Sequence, residues 1–346
     1  MQQWEVRRMM YEYAPWAKDT LHRILALSSK SLPILDIQFG GACNLNCIYC
    51  DTPRYNSPCS LDLNSIEKFL NSGTIQWVYA CGLGEPTAKG NVETFKQILA
   101  MCQKMSVKVS IFSNLLNLDT ELLDYIENGT LHVLFKLDSF QPEVMQFLYG
   151  FESSQTMLRN YQRLKEAVRT SNGTTNLGAS IVPTSKNKSE LRRIIDWCIE
   201  NKVYPLLGQL ENAGKCAHIF EELKLSEEEL LALREYMNTK YGIHYEIPVC
   251  PATISGVHIT NTNYVIVDER TGLSCGWFWL DEPQMITIGN ITDMTLADIT
   301  TEIIAYRKAK FPSVVQIAKA LEPNPFGGCG GDAKILLNQY IRLSDY

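Results

Sequence analysis

The order of apolar and polar positions along this chain predicts short buried strands that alternate with amphipathic helices. Six apolar runs are rich in β-branched, aromatic or leucine residues and have glycine, proline, asparagine or serine nearby, which is typical of strands. These predicted strands are Ile34–Phe39, Gln76–Cys81, Val107–Phe112, Leu131–Leu137, Asn176–Val182 and Pro205–Leu210.

The segments between these runs have the periodicity of helices. The predicted helices are Leu63–Asn71, Val92–Lys104, Thr120–Asn128, Glu143–Leu148 with Gln155–Val168, Ser189–Asn201 and, after the sixth strand, Ser226–Thr239. Strands that alternate with helices form parallel βαβ units with right-handed crossovers. Six such units, rather than eight, predict an α/β fold of the partial (β/α)6 barrel type, similar to an incomplete TIM barrel.

Changes of pattern divide the chain into three predicted parts. Residues 1–32 contain an amphipathic helical extension, which ends at a serine-rich stretch before Pro33. Residues 33–240 contain the predicted barrel. Residues 241–346 form a smaller cysteine-bearing region, in which Gly256–Asp268 alternates like a hairpin.

Composition narrows the class of protein. The net charge of −6 argues against a nucleic-acid partner, and 45% hydrophobic residues supply a sizeable core. Since no apolar run reaches the ~20 residues of a membrane span and Met1–Arg8 lacks the apolar core of a signal peptide, we expect a cytoplasmic protein with no membrane partner. The chain has 11 cysteines, and in a reducing compartment clustered cysteines typically bind metal or perform redox chemistry.

Three cysteines follow the first predicted strand at the spacing C-x3-C-x2-C. They are Cys43, Cys47 and Cys50. Three thiolates on one loop can hold a 4Fe–4S cluster and leave one iron open. The alternative is a structural zinc, which usually takes four protein ligands, and the nearest fourth candidate is Cys59, beyond two prolines. The spacing therefore favours an iron–sulfur cluster.

With Tyr49 directly before the last cysteine, this motif resembles the signature of the radical S-adenosylmethionine (SAM) enzymes. The resemblance implies that the open iron binds the amino and carboxylate groups of SAM. It further implies reductive cleavage of SAM to methionine and a 5′-deoxyadenosyl radical, which abstracts hydrogen from a substrate. The electron would come from an external donor such as flavodoxin or ferredoxin.

Other segments are similar to the family's SAM-binding positions. Gly82-Leu83-Gly84-Glu85-Pro86 resembles the Gly-Gly-Glu-Pro motif, which implies that Gly84 and Glu85 bind the SAM ammonium; an ordinary turn is the alternative. Further implied SAM contacts at strand ends are Ser113, Asn114, Lys136, Asp138 and, on the fifth strand, Ser180. For Ser180 and for Asn187, a core or helix-cap role explains the residue equally well. Most of these positions fall at carboxyl ends of strands, where barrel enzymes build their sites.

Three later cysteines, Cys250, Cys275 and Cys329, stand beside glycine or proline, a loop setting that favours ligation. Their order resembles the twitch and SPASM extensions of radical SAM enzymes, which implies an auxiliary 4Fe–4S cluster. Cys216 is either its fourth ligand or a bystander.

The resemblance implies an oxidoreductase or transformase, but no catalytic base or hydrogen donor is assigned. Because residues 1–32 are too short for a separate peptide-recognition domain, we expect a small polar metabolite as substrate. A carbohydrate, aminocyclitol or nucleotide would then be oxidised, epimerised or rearranged. The alternatives are a maturase that crosslinks, epimerises or forms thioethers in a peptide, and a non-catalytic iron–sulfur or zinc protein.

Overall fold

A computed structural model gives the fold of this chain. It describes residues 32–50, 58–150, 152–171, 177–208, 210–241, 256–269, 274 and 285–310. Nine strands are described: β1 Ile34–Phe39, β2 Trp77–Gly82, β3 Lys108–Ser113, β4 Leu131–Lys136, β5 Leu177–Ile181, β6 Tyr204–Leu207, β7 Gly256–Ile259, β8 Tyr264–Asp268 and β9 Met285–Asn290.

Seven of the nine α-helices in the described residues lie where the periodicity predicts them. The nine are α1 Leu63–Asn71, α2 Val92–Lys104, α3 Thr120–Glu127, α4 Pro142–Tyr149, α5 Ser154–Thr170, α6 Leu191–Glu200, α7 Phe220–Leu223, α8 Glu227–Tyr241 and α9 Leu296–Lys310. The sequence pattern did not indicate α7 and α9. Asp62 and Asp119 accept backbone N–H bonds at the starts of α1 and α3. Helix α4 begins at a proline and ends at left-handed Gly150.

The strands form one open sheet in the order β6-β5-β4-β3-β2-β1-β7-β8-β9. Strands β1 to β6 are mutually parallel, as the alternation of strands and helices predicts. The predicted α/β fold, a partial TIM-like barrel, is therefore confirmed. The pattern misplaces some element ends by one to three residues; the sixth strand, for example, ends at Leu207 and not at Leu210.

The C-terminal strands join the barrel sheet at its β1 edge. Strand β7 pairs in parallel with β1, and β8 and β9 continue the sheet in antiparallel fashion. Across this join, Asp36 lies opposite His258, and their Oδ2 and Nδ1 atoms are 2.7 Å apart. The described strands of the cysteine-bearing region thus extend the barrel sheet.

The larger apolar core lies between the sheet and its helices. Leu35, Ile37 and Phe39 alternate along β1 and are fully buried. The Phe39 ring packs edge-on against Phe95 of α2, with centroids 5.7 Å apart. This packing fixes the sheet and thereby the loops at its carboxyl edge. Within the described part of the chain, no helix is both long and apolar enough to cross a bilayer.

A buried histidine in this core makes the stability of the fold depend on pH. His132 on β4 stacks on Trp77 with ring centroids 5.1 Å apart. Burial, with a smaller contribution from the Lys108 charge, lowers the pKa of His132 from 6.5 to about 3.

As the pH falls from about 6.5 towards 3, the unfolded chain binds a proton that the folded chain does not. We therefore expect the free energy of unfolding to fall by up to about 1.4 kcal/mol per pH unit over this window. Urea unfolding at pH 7, 6 and 5 checks this expectation against His132→Phe, which keeps the aromatic contact and cannot titrate. The same pH dependence in both proteins would contradict it.

Candidate active site

The cysteine loop, residues 40–50, directly follows β1 and is fixed by backbone hydrogen bonds. The Asn46 and Ile48 N–H groups donate to the carbonyls of Tyr149 and Leu148 at the end of α4, at 2.9 and 3.0 Å. The Lys215 N–H donates to the Cys50 carbonyl at 3.0 Å. Gly150, with φ +83°, lets α4 end against the loop, since a Cβ there would lie 2.6 Å from the Asn46 carbonyl oxygen.

The three thiols share this anchored loop at the carboxyl edge of the sheet. Cys43 is exposed, whereas Cys47 and Cys50 are half-buried. Burial raises the pKa of the Cys47 thiol to about 11, and the Lys136 ammonium acts in the opposite direction. Among the described residues, no three Cys, His, Asp or Glu side chains converge as a metal-binding group. The structure brings the three cysteines to one loop, where Cys43 and Cys50 both act on the charge of Cys47.

The chemistry of this donor set fits an iron–sulfur cluster. Thiolates are the usual ligands of such clusters, and these three are accessible or half-accessible at residues 43–50. The loop backbone is held on both sides, by α4 and by Lys215, so the thiols have a fixed support. Cys43, Cys47 and Cys50 would hold the cluster.

Gly84 allows the end of β2 to approach the cysteine loop closely. A Cβ at this position would lie 2.2 Å from the Ala42 carbonyl oxygen and 2.6 Å from that of Gly40. The next residue, Glu85, donates its backbone N–H to the Ala42 carbonyl at 2.8 Å. Only glycine fits this contact without moving backbone atoms.

The Glu85 carboxylate is buried and is held by four hydrogen bonds. Its Oε1 accepts from the Ser113 hydroxyl (2.9 Å), the Thr87 hydroxyl (2.7 Å) and the Thr87 N–H (3.2 Å), and its Oε2 accepts from the Asn114 N–H (2.8 Å). Burial raises the pKa of Glu85, whereas these bonds favour its charged form. The Asn114 side chain then donates to Asn44 Oδ1 at 2.7 Å and links this network to the cysteine loop.

Glu85→Gln should destabilise this junction, because an amide nitrogen would face donors where a carboxylate oxygen now accepts. We expect the free energy of unfolding to fall by about 1–3 kcal/mol, the cost of leaving a buried polar group without its bond. Denaturant unfolding at pH 7 measures the loss. The matched control is Glu93→Gln, at an exposed position in the first turn of α2. An equal effect of the two substitutions would contradict this role.

Asn91 connects the same two segments, although no pattern in the sequence marks it as a site residue. Its side-chain amide donates to the carbonyls of Gly40 (3.0 Å) and Glu85 (2.9 Å) and, less closely, to Ala42 (3.3 Å). It occupies the N-cap position of α2 but makes no side-chain cap bond there. Since asparagine at a helix start is ordinarily interpreted as a cap, the sequence signal points to the wrong role.

A buried ion pair lies on the β4 side of the cysteine loop. The Asp138 carboxylate is fully buried and accepts from the Val182 N–H at 2.7 Å and from the Tyr49 phenol. The Lys136 Nζ lies 3.3 Å from Asp138 Oδ2, 4.5 Å from the centre of the Tyr49 ring and 5.3 Å from that of Tyr149.

The charges of this pair support each other. Burial alone would lower the pKa of Lys136, but Asp138 and the thiols of Cys47 and Cys50 raise it above its usual value. Burial and the Asp138 charge raise the pKa of Tyr49, so its phenol stays protonated and donates. The pair is therefore a protonated lysine beside a carboxylate that is held by hydrogen bonds.

Two residues whose role the sequence leaves open, as a SAM contact or as a core or cap residue, lie beside this ion pair. Ser180 on β5 is half-buried and stands opposite Lys136 in the strand register. The Asn187 side chain donates to the carbonyls of Asp138 (2.8 Å) and Val182 (2.9 Å), and so braces the ends of β4 and β5.

Of the four later cysteines that are predicted to bind a cluster, the structure describes one. Cys216 is fully buried, in an apolar cluster that also contains Leu45, Tyr49, Leu148 and Tyr149. Cys250, Cys275 and Cys329 lie outside the described residues. The structure thus brings Tyr49, Gly84, Glu85, Ser113, Asn114, Lys136 and Asp138 together around the first cysteine loop.

The described part of the chain combines an open sheet, parallel from β1 to β6, with a three-cysteine loop directly after its first strand. Residues 37–198 of this chain match the family model of the Radical SAM superfamily. This region thus matches a radical SAM domain, in agreement with the cysteine motif.

Solved structures of two proteins have similar folds. SuiB from Streptococcus suis, bound to the precursor peptide SuiA, is 14% identical with a TM-score of 0.60, covering 85% of this chain and 70% of that chain. Native anSMEcpe, with bound AdoMet and the Cp18Cys peptide, is 18% identical with a TM-score of 0.59, covering 89% of this chain and 94% of that chain. No curated protein sequence matches this chain.

Proposed function

We propose that this chain is a radical SAM enzyme that abstracts hydrogen from a peptide substrate. The observation that carries the proposal is the cysteine loop of the radical SAM domain, packed against Gly84 and Glu85 on one side and facing the Lys136–Asp138 pair on the other. When bound, the cluster and SAM would supply a 5′-deoxyadenosyl radical. The chain's own residues would fix the loop, bind SAM at the strand ends and orient the substrate.

A peptide substrate is supported by the two structural neighbours. SuiB is bound to a precursor peptide and anSMEcpe to the Cp18Cys peptide. Both align with most of this chain, including its barrel. For this reason we favour a peptide over the small polar metabolite that the short N-terminal segment favoured, and the metabolite becomes the other outcome of the test.

The substrate class can be tested without knowing the substrate. Cells grown in D2O would supply two pools, one of peptides and one of nucleotides and sugars. The reconstituted full chain is incubated anaerobically with SAM, dithionite and each pool, and deuterium in 5′-deoxyadenosine is measured by mass spectrometry. We expect deuterium transfer from the peptide pool. Transfer from the metabolite pool alone would replace the peptide proposal.

We also propose that residues 241–346 hold an auxiliary 4Fe–4S cluster in a twitch- or SPASM-like region. The support is the glycine and proline setting of Cys250, Cys275 and Cys329. Iron analysis should give about eight atoms per chain, and Cys275→Ala should lower this to about four. Unchanged iron in that variant would remove the auxiliary cluster from the proposal. Cys216→Ala tests separately whether this buried residue is the fourth ligand or only packs.

The reducing electron would come from flavodoxin or ferredoxin in the cytoplasm, where the cysteines of this chain stay reduced. In such a compartment the thiols remain available for cluster assembly.

A further inference from the structure

Lys136 is a charged side chain enclosed beside the cysteine loop. Only 18% of the side chain is exposed, and its ammonium lies over the Tyr49 ring and near the Tyr149 ring. The groups that act on its charge are Asp138, Cys47 and Cys50. Tyr49 directly precedes the proposed cluster ligand Cys50, so a lysine 4.5 Å from its ring centre is a positive charge beside the cluster loop in a poorly solvated setting.

Asp138 prevents this ammonium from turning away. One of its oxygens accepts the Val182 N–H at 2.7 Å, and the other accepts the Tyr49 phenol and lies 3.3 Å from Lys136 Nζ. Asn187 also holds the Asp138 backbone carbonyl at 2.8 Å. A carboxylate fixed in this way holds the Lys136 ammonium in place through contacts within the chain alone.

A fixed positive charge beside a cluster affects its reduction. Reduction adds one negative charge, and a nearby ammonium stabilises that charge most where solvent is excluded. Asp138 is the partner of Lys136 in the described structure and holds its ammonium on this side of the loop.

We infer that Lys136 is a positioning residue whose ammonium, held by Asp138, makes the cluster on Cys43, Cys47 and Cys50 easier to reduce. This inference rests on the proposed function, since it requires a cluster on that loop. It assigns the two members of the ion pair opposite effects: the lysine raises the midpoint potential of the cluster, and the aspartate lowers it.

The test is a redox titration of the reconstituted full chain without SAM, followed by electron paramagnetic resonance of the reduced cluster. At a fixed potential, Lys136→Met should lower the ratio of reduced to oxidised cluster by about tenfold. For a one-electron couple, this corresponds to a midpoint potential that is lower by about 59 mV. Asp138→Asn, which keeps an acceptor for the Val182 N–H, should raise this ratio. A lysine that acted only by binding SAM would change neither value, because SAM is absent.

The chain offers a matched control at Lys215. Its ammonium also reaches the cysteine loop, at Asn46 Oδ1, but through a solvent-exposed contact. Since water screens such a charge, Lys215→Met should change the ratio by less than about twofold. Lys136→Arg, which keeps the charge, should behave like the unmodified protein.

Three results would overturn the inference: an unchanged ratio in Lys136→Met, a shift no larger than that of Lys215→Met, or shifts in the same direction for Lys136→Met and Asp138→Asn. If Lys136→Met does not fold, the upward shift of Asp138→Asn and the unchanged value of Lys136→Arg decide the question. Failure of the proposed function looks different, because the unmodified chain would then hold no cluster on this loop.

Discussion

Replacing Cys47 with alanine is expected to remove about four iron atoms per chain and to abolish SAM cleavage. The cluster on the barrel would have three protein ligands, and losing one leaves two thiols on a loop that is anchored by the C-terminal end of α4 and by Lys215. Cys59, the nearest other thiol in the sequence, is half-buried and hydrogen-bonded near Thr94 and Gly40. Because its thiol already has hydrogen-bond partners and lies outside residues 43–50, we do not expect Cys59 to replace the lost ligand.

Cys102→Ala is the matched control for this loss. Cys102 is fully buried on α2 within the larger apolar core, and burial raises the pKa of its thiol to about 12. Removing it should cost about 1 kcal/mol of stability while the iron content and the rate of SAM cleavage stay unchanged. Iron analysis and chromatography of 5′-deoxyadenosine on both variants decide the matter. Full iron and full activity in Cys47→Ala would contradict the assignment of the loop.

Gly84→Ala is expected to cause the second large loss of SAM cleavage, together with a loss of stability, although it adds only a methyl group. The added carbon would meet the carbonyl oxygens of Ala42 and Gly40 at 2.2 and 2.6 Å, and both are backbone atoms of the cysteine loop. The loop must move to relieve the contact. We expect a loss of about 1–3 kcal/mol of stability and a decrease of about 100-fold in SAM cleavage, because small displacements of a site have effects of that size.

Gly208→Ala provides the same chemical change at a tolerant position near the end of β6. There a Cβ would meet its nearest neighbours, at Ile181 and Val182, at an ordinary 3.6 Å. The free energy of unfolding of Gly208→Ala should differ from that of the unmodified protein by less than about 0.5 kcal/mol. Thermal unfolding and the SAM cleavage rate, measured for both variants, test the contrast. Similar behaviour of the two alanine variants would show that the contact between Gly84 and the loop is unimportant.

The barrel could be predicted because its information is local in the sequence. Each strand and helix of the barrel carries its own apolar period, and alternating strands and helices allow few topologies. The cysteine loop could be identified from the sequence for the same reason, because its three thiols lie within residues 43–50. Lys136 and Asp138 could be selected because charged residues at a buried strand end are rare unless they are paired.

The contacts that the sequence did not indicate are long-range. Pairing of β7 with β1 joins Asp36 to His258, which depends on strand register and not on any local pattern. Asn91 contacts Gly40 across the fold, and its position at a helix start suggests a cap instead. The acceptor role of Glu85 likewise depends on the ends of β2 and β3 meeting.

The central claim is that this chain cleaves SAM at the cysteine loop after β1. The most direct measurement is anaerobic reconstitution of the full chain with iron and sulfide, followed by dithionite and SAM and quantification of the products. We predict 5′-deoxyadenosine and methionine in equal amounts, with formation lost in Cys47→Ala. A reconstituted chain that holds its cluster and leaves SAM intact, with dithionite and with both substrate pools present, would contradict the claim.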